Sequence, residues 1–122
     1  VKPDQVLDYT ASADVGICYI ENTCLSYYYC MPNKLFEYAM AGLPTLVSNM
    51  KDMSQCIKKN KFGLILNDPS PIGINEKINI ILSMNYKSLS DKAHKFAREN
   101  SWECQHVLLC KGYREILNLE KF

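Results

Sequence analysis

The chain has 122 residues, enough for one compact domain and too few for two. Apolar residues make up 48% and charged residues 22%, an ordinary globular composition that excludes intrinsic disorder. The net charge of +1 gives no electrostatic case for binding long nucleic acid or an anionic membrane.

In chain order, residues 4 to 13 are expected to form a short helix, capped by Asp4 and carrying an apolar stripe of Val6, Leu7 and Tyr9. Residues 14 to 20 are expected to form a strand. Its nearly unbroken apolar run, Val15-Gly16-Ile17-Cys18-Tyr19-Ile20, suits a strand buried on both faces. Residues 21 to 31 are a polar and aromatic loop. A helix is expected over 32 to 41, with Pro32 in its first turn, Leu35, Phe36, Ala39 and Met40 inward, and Gly42 at its end. Residues 44 to 48 form a second strand. A helix over 52 to 60 places Met53, Cys56 and Ile57 inward, and residues 63 to 66 form a third strand closed by the turn Asn67-Asp68-Pro69. Three helices follow. The first, 70 to 84, faces inward through Ile74, Ile78, Ile81 and Leu82. The second, 86 to 99, uses Leu89, Ala93, Phe96 and Ala97, and the third, 103 to 119, uses Val107, Leu108, Tyr113, Ile116 and Leu117.

Strands alternating with helices imply parallel units joined by right-handed crossovers, an α/β fold of three layers with a parallel sheet between helices. Three strands are few for such a sheet. The first would carry an uncovered edge, so further sequence before it and self-association through that edge are both expected. The chain begins without Met, which fits either a domain excised from a longer protein or removal of the Met by processing.

No run approaches the ~20 apolar residues that span a bilayer. Val1-Lys2-Pro3-Asp4 leads into no apolar core and does not read as a signal peptide. Six cysteines without a secretion signal place the chain in a reducing, cytoplasmic compartment. None has CxxC spacing, so they read as small apolar fillers, and His94 and His106 as ordinary core or surface histidines.

In parallel α/β sheets ligands bind beyond the carboxyl ends of the strands. The first strand ends near Ile20, and its loop leads to the helix that starts by Pro32. A helix N-terminus offers unpaired N–H groups and a positive dipole end, suited to phosphate. Asn33 and Lys34 lie there. Lys34 is either a phosphate ligand or a solvated lysine that opposes the dipole at modest cost. Glu37, one turn on, can accept hydrogen bonds from vicinal sugar hydroxyls or pair with Lys34. Tyr27, Tyr28 and Tyr29 line a base or sugar pocket or cover the sheet end, and Glu21 and Asn22 follow the strand toward the same mouth.

The stretch Tyr28-Tyr29-Cys30-Met31-Pro32-Asn33-Lys34-Leu35-Phe36-Glu37-Tyr38-Ala39-Met40-Ala41-Gly42-Leu43-Pro44 resembles a signature of the glycosyltransferases with the GT-B fold, closest to the family-four type of bacterial surface-polysaccharide enzymes. "YTASADVGI", "TLVSN", "FGLIL" with "DPSP", and "ARENSWE" resemble further pieces in the order that family shows, so the resemblance spans nearly the whole chain. It implies a Rossmann-like domain, the later part of the C-terminal, donor-binding domain. The acceptor, a saccharide or a lipid-linked one, would be bound by an N-terminal domain outside this chain. Asn33, Lys34 and Leu35 would face the donor diphosphate, and Glu37 matches the glutamate that binds the ribose. The partner glutamate would fall eight positions earlier, where Tyr29 stands, so the usual acidic contact to the donor sugar is absent or supplied differently.

The implied reaction is transfer of a sugar from a nucleoside diphosphate sugar to an acceptor hydroxyl with retained configuration, in cell-surface polysaccharide or lipopolysaccharide synthesis. No Asp-x-Asp motif is present, so no metal and no cofactor are expected. The residues do not single out a catalytic group, and half the cleft alone is expected to be inactive. The resemblance also implies a cytoplasmic parent enzyme, peripheral at the inner membrane face. Two alternatives stay open: a nucleotide-sugar epimerase of the same fold, and a non-catalytic α/β interaction domain.

Overall fold

The computed structural model describes residues 1–117. A 3₁₀ turn, Pro3–Gln5, leads into α1 (Val6–Thr10), followed by β1 (Gly16–Cys18), α2 (Leu25–Tyr28) and α3 (Asn33–Met40). Then come β2 (Thr45–Ser48), α4 (Lys51–Asn60), β3 (Gly63–Leu66), α5 (Pro71–Ser83), α6 (Tyr86–Glu99) and α7 (Trp102–Leu117). The three strands form one parallel sheet in the order β1-β2-β3. Helices flank both faces, an α/β architecture compatible with a Rossmann-like fold.

The central strand β2 is buried throughout, and its alternation builds two cores. Val47 joins Cys18 on one face, under Leu35 and Ala39 of α3 and Met53, Cys56 and Ile57 of α4. Leu46 points to the other face, with Ile81 of α5. Helix α6 belongs to both, because its Leu89 packs with Leu46 while its Ala93 and Phe96 pack with the first core. It therefore runs past one end of the sheet from face to face. Gly42, in the turn before β2, marks the crossing: φ is +73°, and a Cβ there would fall on His94 and Ser90 of α6. This end carries the strands' amino termini. The carboxyl ends open on the opposite side.

Several expectations change. Strand β1 is three residues long rather than seven, because parallel pairing is limited to Gly16↔Thr45, Ile17↔Leu46 and Cys18↔Val47. The loop from 21 to 31 contains the single turn α2. The first helix is split and short, Asp4 does not cap it, and its stripe is not buried, with Tyr9 63% exposed. Pro32 sits at the cap of α3 rather than inside it, and α4 starts one residue early, at Lys51. Met40 and Leu82 face outward. Every residue expected on the inner face of α7 is exposed, Ile116 at 77%, and residues 118 and 119 of that expected helix lie outside the described residues. Cys18 and Cys56 are buried fillers as expected, but Cys24 and Cys104 are exposed.

Candidate functional site

The mouth at the carboxyl ends of the strands is assembled from the three connections that leave them, a long one after β1 and short ones after β2 and β3. After β1 the chain is tied to its neighbour strand: the Ile20 amide donates to the Ser48 hydroxyl at 3.0 Å. After β2, Met50 leads directly into α4, whose first residue, Lys51, places its ammonium 4.9 Å from the centre of the Tyr29 ring. After β3, Asp68 accepts from the Ser70 amide at 2.9 Å and the Ser70 hydroxyl at 2.8 Å, and Ser70 caps α5 by accepting from the Gly73 amide at 3.1 Å. Those two bonds hold the Asp68 carboxyl below its ordinary pKa.

Helix α3 returns over β1, and its placement follows from small residues on the strand. Gly16 leaves room for the Tyr38 ring, which would otherwise meet a Cβ, and the Tyr38 hydroxyl donates to the Ile17 carbonyl at 3.4 Å. The N-terminus of α3 has no side-chain cap, since Pro32 occupies that position. The Leu35 amide is engaged by the Pro32 carbonyl at 3.0 Å. The amides of Asn33 and Lys34 have no acceptor among the described residues. Of the three residues expected to offer N–H groups, two remain available and Leu35 does not; its side chain is a core residue.

Lys34 is exposed, and its charge reaches the end of β1. Burial pushes the Cys18 thiol up to about 11, and the Lys34 ammonium partly offsets that. Glu37 is half-buried, with no hydrogen bond or ion pair to its carboxylate among the described residues. The expected alternative of a Lys34–Glu37 ion pair does not form. The two groups thus stand one helical turn apart, each without a partner.

The tyrosines divide. Tyr28 packs against the core, and Tyr29 stands edge-on to it at 4.9 Å, half exposed beneath Lys51. Glu21 and Asn22 are fully at the surface beside the mouth. Ser48 and Lys51 were not singled out by sequence reasoning. The same rule that pointed to the end of the first strand applies to the second, where a strand runs straight into a helix, and would have found both.

The mouth is open rather than enclosed. None of the more pronounced surface hollows is lined by Lys34 or Glu37. One of them, of about 570 Å³, lies at the other end of α3 between Phe36, Met40 and Trp102. Among the described residues no group of three or more His, Cys, Asp or Glu is placed to hold a metal ion, and no helix is long and apolar enough to cross a membrane. Comparison with protein-family models, with curated proteins and with solved structures returned no match to this chain.

Proposed function

We propose that this chain is part of the donor-binding domain of a glycosyltransferase, with the α3 N-terminus as the seat of a nucleoside diphosphate sugar. The observation that carries this reading is the coincidence of signature and geometry. The string Pro32 to Pro44 falls on α3 and its turn; two free amides and the unpaired Lys34 ammonium lie at the helix end near Cys18, the last residue of β1, and the unpaired Glu37 carboxylate lies one turn further along α3. The amides of Asn33 and Lys34 and the Lys34 ammonium would hold the diphosphate, and would stabilise the charge that develops on it as the glycosidic bond breaks. Glu37 would accept from the ribose hydroxyls. Tyr29, with Lys51 over its ring, would face the sugar where the related enzymes carry a glutamate. Transfer would go to an acceptor hydroxyl on a saccharide or lipid-linked molecule bound by an N-terminal domain. The epimerase alternative uses the same donor seat and differs in lacking an acceptor.

The test is a titration of the chain with UDP, GDP and their sugars, followed by amide NMR shifts, beside Glu37→Gln and Lys34→Gln. Shifts at residues 20 to 37 are expected. Loss of a hydrogen bond to a charged group costs ~1.5–3 kcal/mol, so each variant is expected to weaken binding by roughly 10- to 150-fold. Equal affinity in all three proteins would overturn the assignment of these residues. Shifts confined to the hollow by Trp102 would move the site.

A further inference from the structure

Helix α7 buries no residue, yet its side chains are sorted by type around the axis. Trp102, His106, Leu109, Cys110, Tyr113 and Leu117 fall within roughly 100° of arc at 3.6 residues per turn, so they share one stripe. The stripe is apolar except at its middle, where His106 and Cys110 stand. Their donor atoms meet: the Cys110 sulfur lies 3.4 Å from Nε2 of His106. Among the described residues no other cysteine has a histidine within hydrogen-bond distance. The Cys18 thiol faces the Met53 sulfur, Cys56 faces Asn60, and Cys104 donates to the Arg98 carbonyl.

The separation of these two atoms fits one chemistry. Zinc bonds of ~2.3 Å to sulfur and ~2.0 Å to nitrogen at a tetrahedral angle hold the two donors about 3.5 Å apart. The pair stands near that separation with no change of backbone, because residues four apart on a helix are neighbours. Thiolate with imidazole suits zinc and disfavours the hard ions calcium and magnesium. A closed zinc site takes four protein ligands, and one chain brings together only this pair among its described residues. A two-fold axis across the stripe supplies the same pair again. Two thiolates cancel the charge of the ion and two imidazoles add none, so the completed site is neutral and suits the apolar groups on either side of it. Those groups, Trp102, Leu109, Tyr113 and Leu117, are all exposed in the single chain and are covered by the second copy.

We propose that α7 carries half of a zinc site, and that His106 and Cys110 from two copies of this chain together hold one ion. Helix α7 pairs with its counterpart along the stripe, and the metal fixes the register of the pair. The Trp102 ring stands 5.7 Å from the His106 ring, so the lone tryptophan reports the site directly. None of the residues assigned to the donor seat lies on α7, and the zinc site is independent of that reading.

The test is titration of the metal-free chain with Co²⁺ and with Zn²⁺, under a reductant that is not a thiol. Cobalt should give a thiolate charge-transfer band and the intense visible bands of a tetrahedral ion, saturating at one ion per two chains. Zinc should add a step in mass by sedimentation, reversed by a chelator, and should change Trp102 emission. Binding needs the thiol ionised and the imidazole neutral, so it should weaken as pH is lowered. His106→Gln and Cys110→Ser should each weaken it by more than the ~10–100-fold lost with an outer-shell partner. Cys104→Ser removes an exposed thiol from the far side of the same helix and should leave binding unchanged. All three positions lie on a helix that buries no residue, so the metal-free fold is the same in each variant. Saturation at one ion per chain with no zinc-dependent step in mass, full binding by Cys110→Ser, or an equal loss in Cys104→Ser would each overturn the proposal.

Discussion

Phe96 is the side chain through which α6 grips the rest of the fold. It is 5% exposed and stacks on Phe62 at 5.1 Å and on Phe36 at 5.5 Å, with interplanar angles of 26° and 24°. Phe62 precedes β3 and Phe36 belongs to α3, so the triplet joins three elements. Truncating a buried Phe to Ala removes its transfer free energy and leaves a cavity, ~3–5 kcal/mol in all. A domain of this size has ~5–15 kcal/mol to lose. With a urea slope of ~1–3 kcal/mol/M, the midpoint of Phe96→Ala should fall by about 2 M. Phe96→Leu keeps most of the volume and should cost ~1–1.5 kcal/mol. Far-UV circular dichroism is the proper readout, because the lone tryptophan, Trp102, is 66% exposed and reports little on the core. The reasoning is refuted if Phe96→Ala costs under ~1 kcal/mol, or if Leu and Ala at this position cost the same.

Gly42→Ala meets two obstacles, a positive φ and the His94 ring, and should destabilise by ~1–3 kcal/mol; an unchanged melting temperature would show that α6 lies farther from this turn. The Cys18 thiol has its folded-state pKa raised to about 11 from 9.0, so the folded state holds its proton longer than the unfolded chain. Its contribution is intact below pH 9 and fades as pH rises toward 11; urea midpoints across that window should decline, and less steeply in Cys18→Ala. Cys24 and Cys104 are exposed, so a thiol reagent at neutral pH should modify them well before Cys18 and Cys56; a uniform rate would contradict the burial pattern. Strand β1 pairs only with β2 among the described residues, so the chain should self-associate through its free edge. Light scattering should show mass rising with concentration, and Ile17→Lys should suppress it; a monomer at every concentration removes the idea.

Where a helix packs on what its own pattern demands, the sequence was sufficient. Leu89, Ala93 and Phe96 recur at helical spacing, and all three are buried. Helix α7 shows the limit of the same logic. Its Val107, Leu108, Tyr113, Ile116 and Leu117 are as apolar as those of α6, yet a stripe states only that a helix can be covered, not that a surface lies opposite. The length of β1 depends on where β2 begins, which no local pattern in residues 14 to 20 contains. Lys34 and Glu37 were legible as candidates from their places on one helix, but their lack of partners is a property of the fold.

The unburied state of α7 has a thermodynamic reading. A 16-residue helix with no buried residue draws little from the cooperative core, and isolated helices of that length are marginal in water. Heating should therefore melt it gradually, as a sloping helical baseline ahead of the main transition. Its amides should exchange with deuterium at rates set by fraying, while those of β2 wait for global opening. The chain then behaves as two units, a sheet domain that unfolds all at once and a helical arm whose order is an equilibrium that temperature and any covering surface can shift.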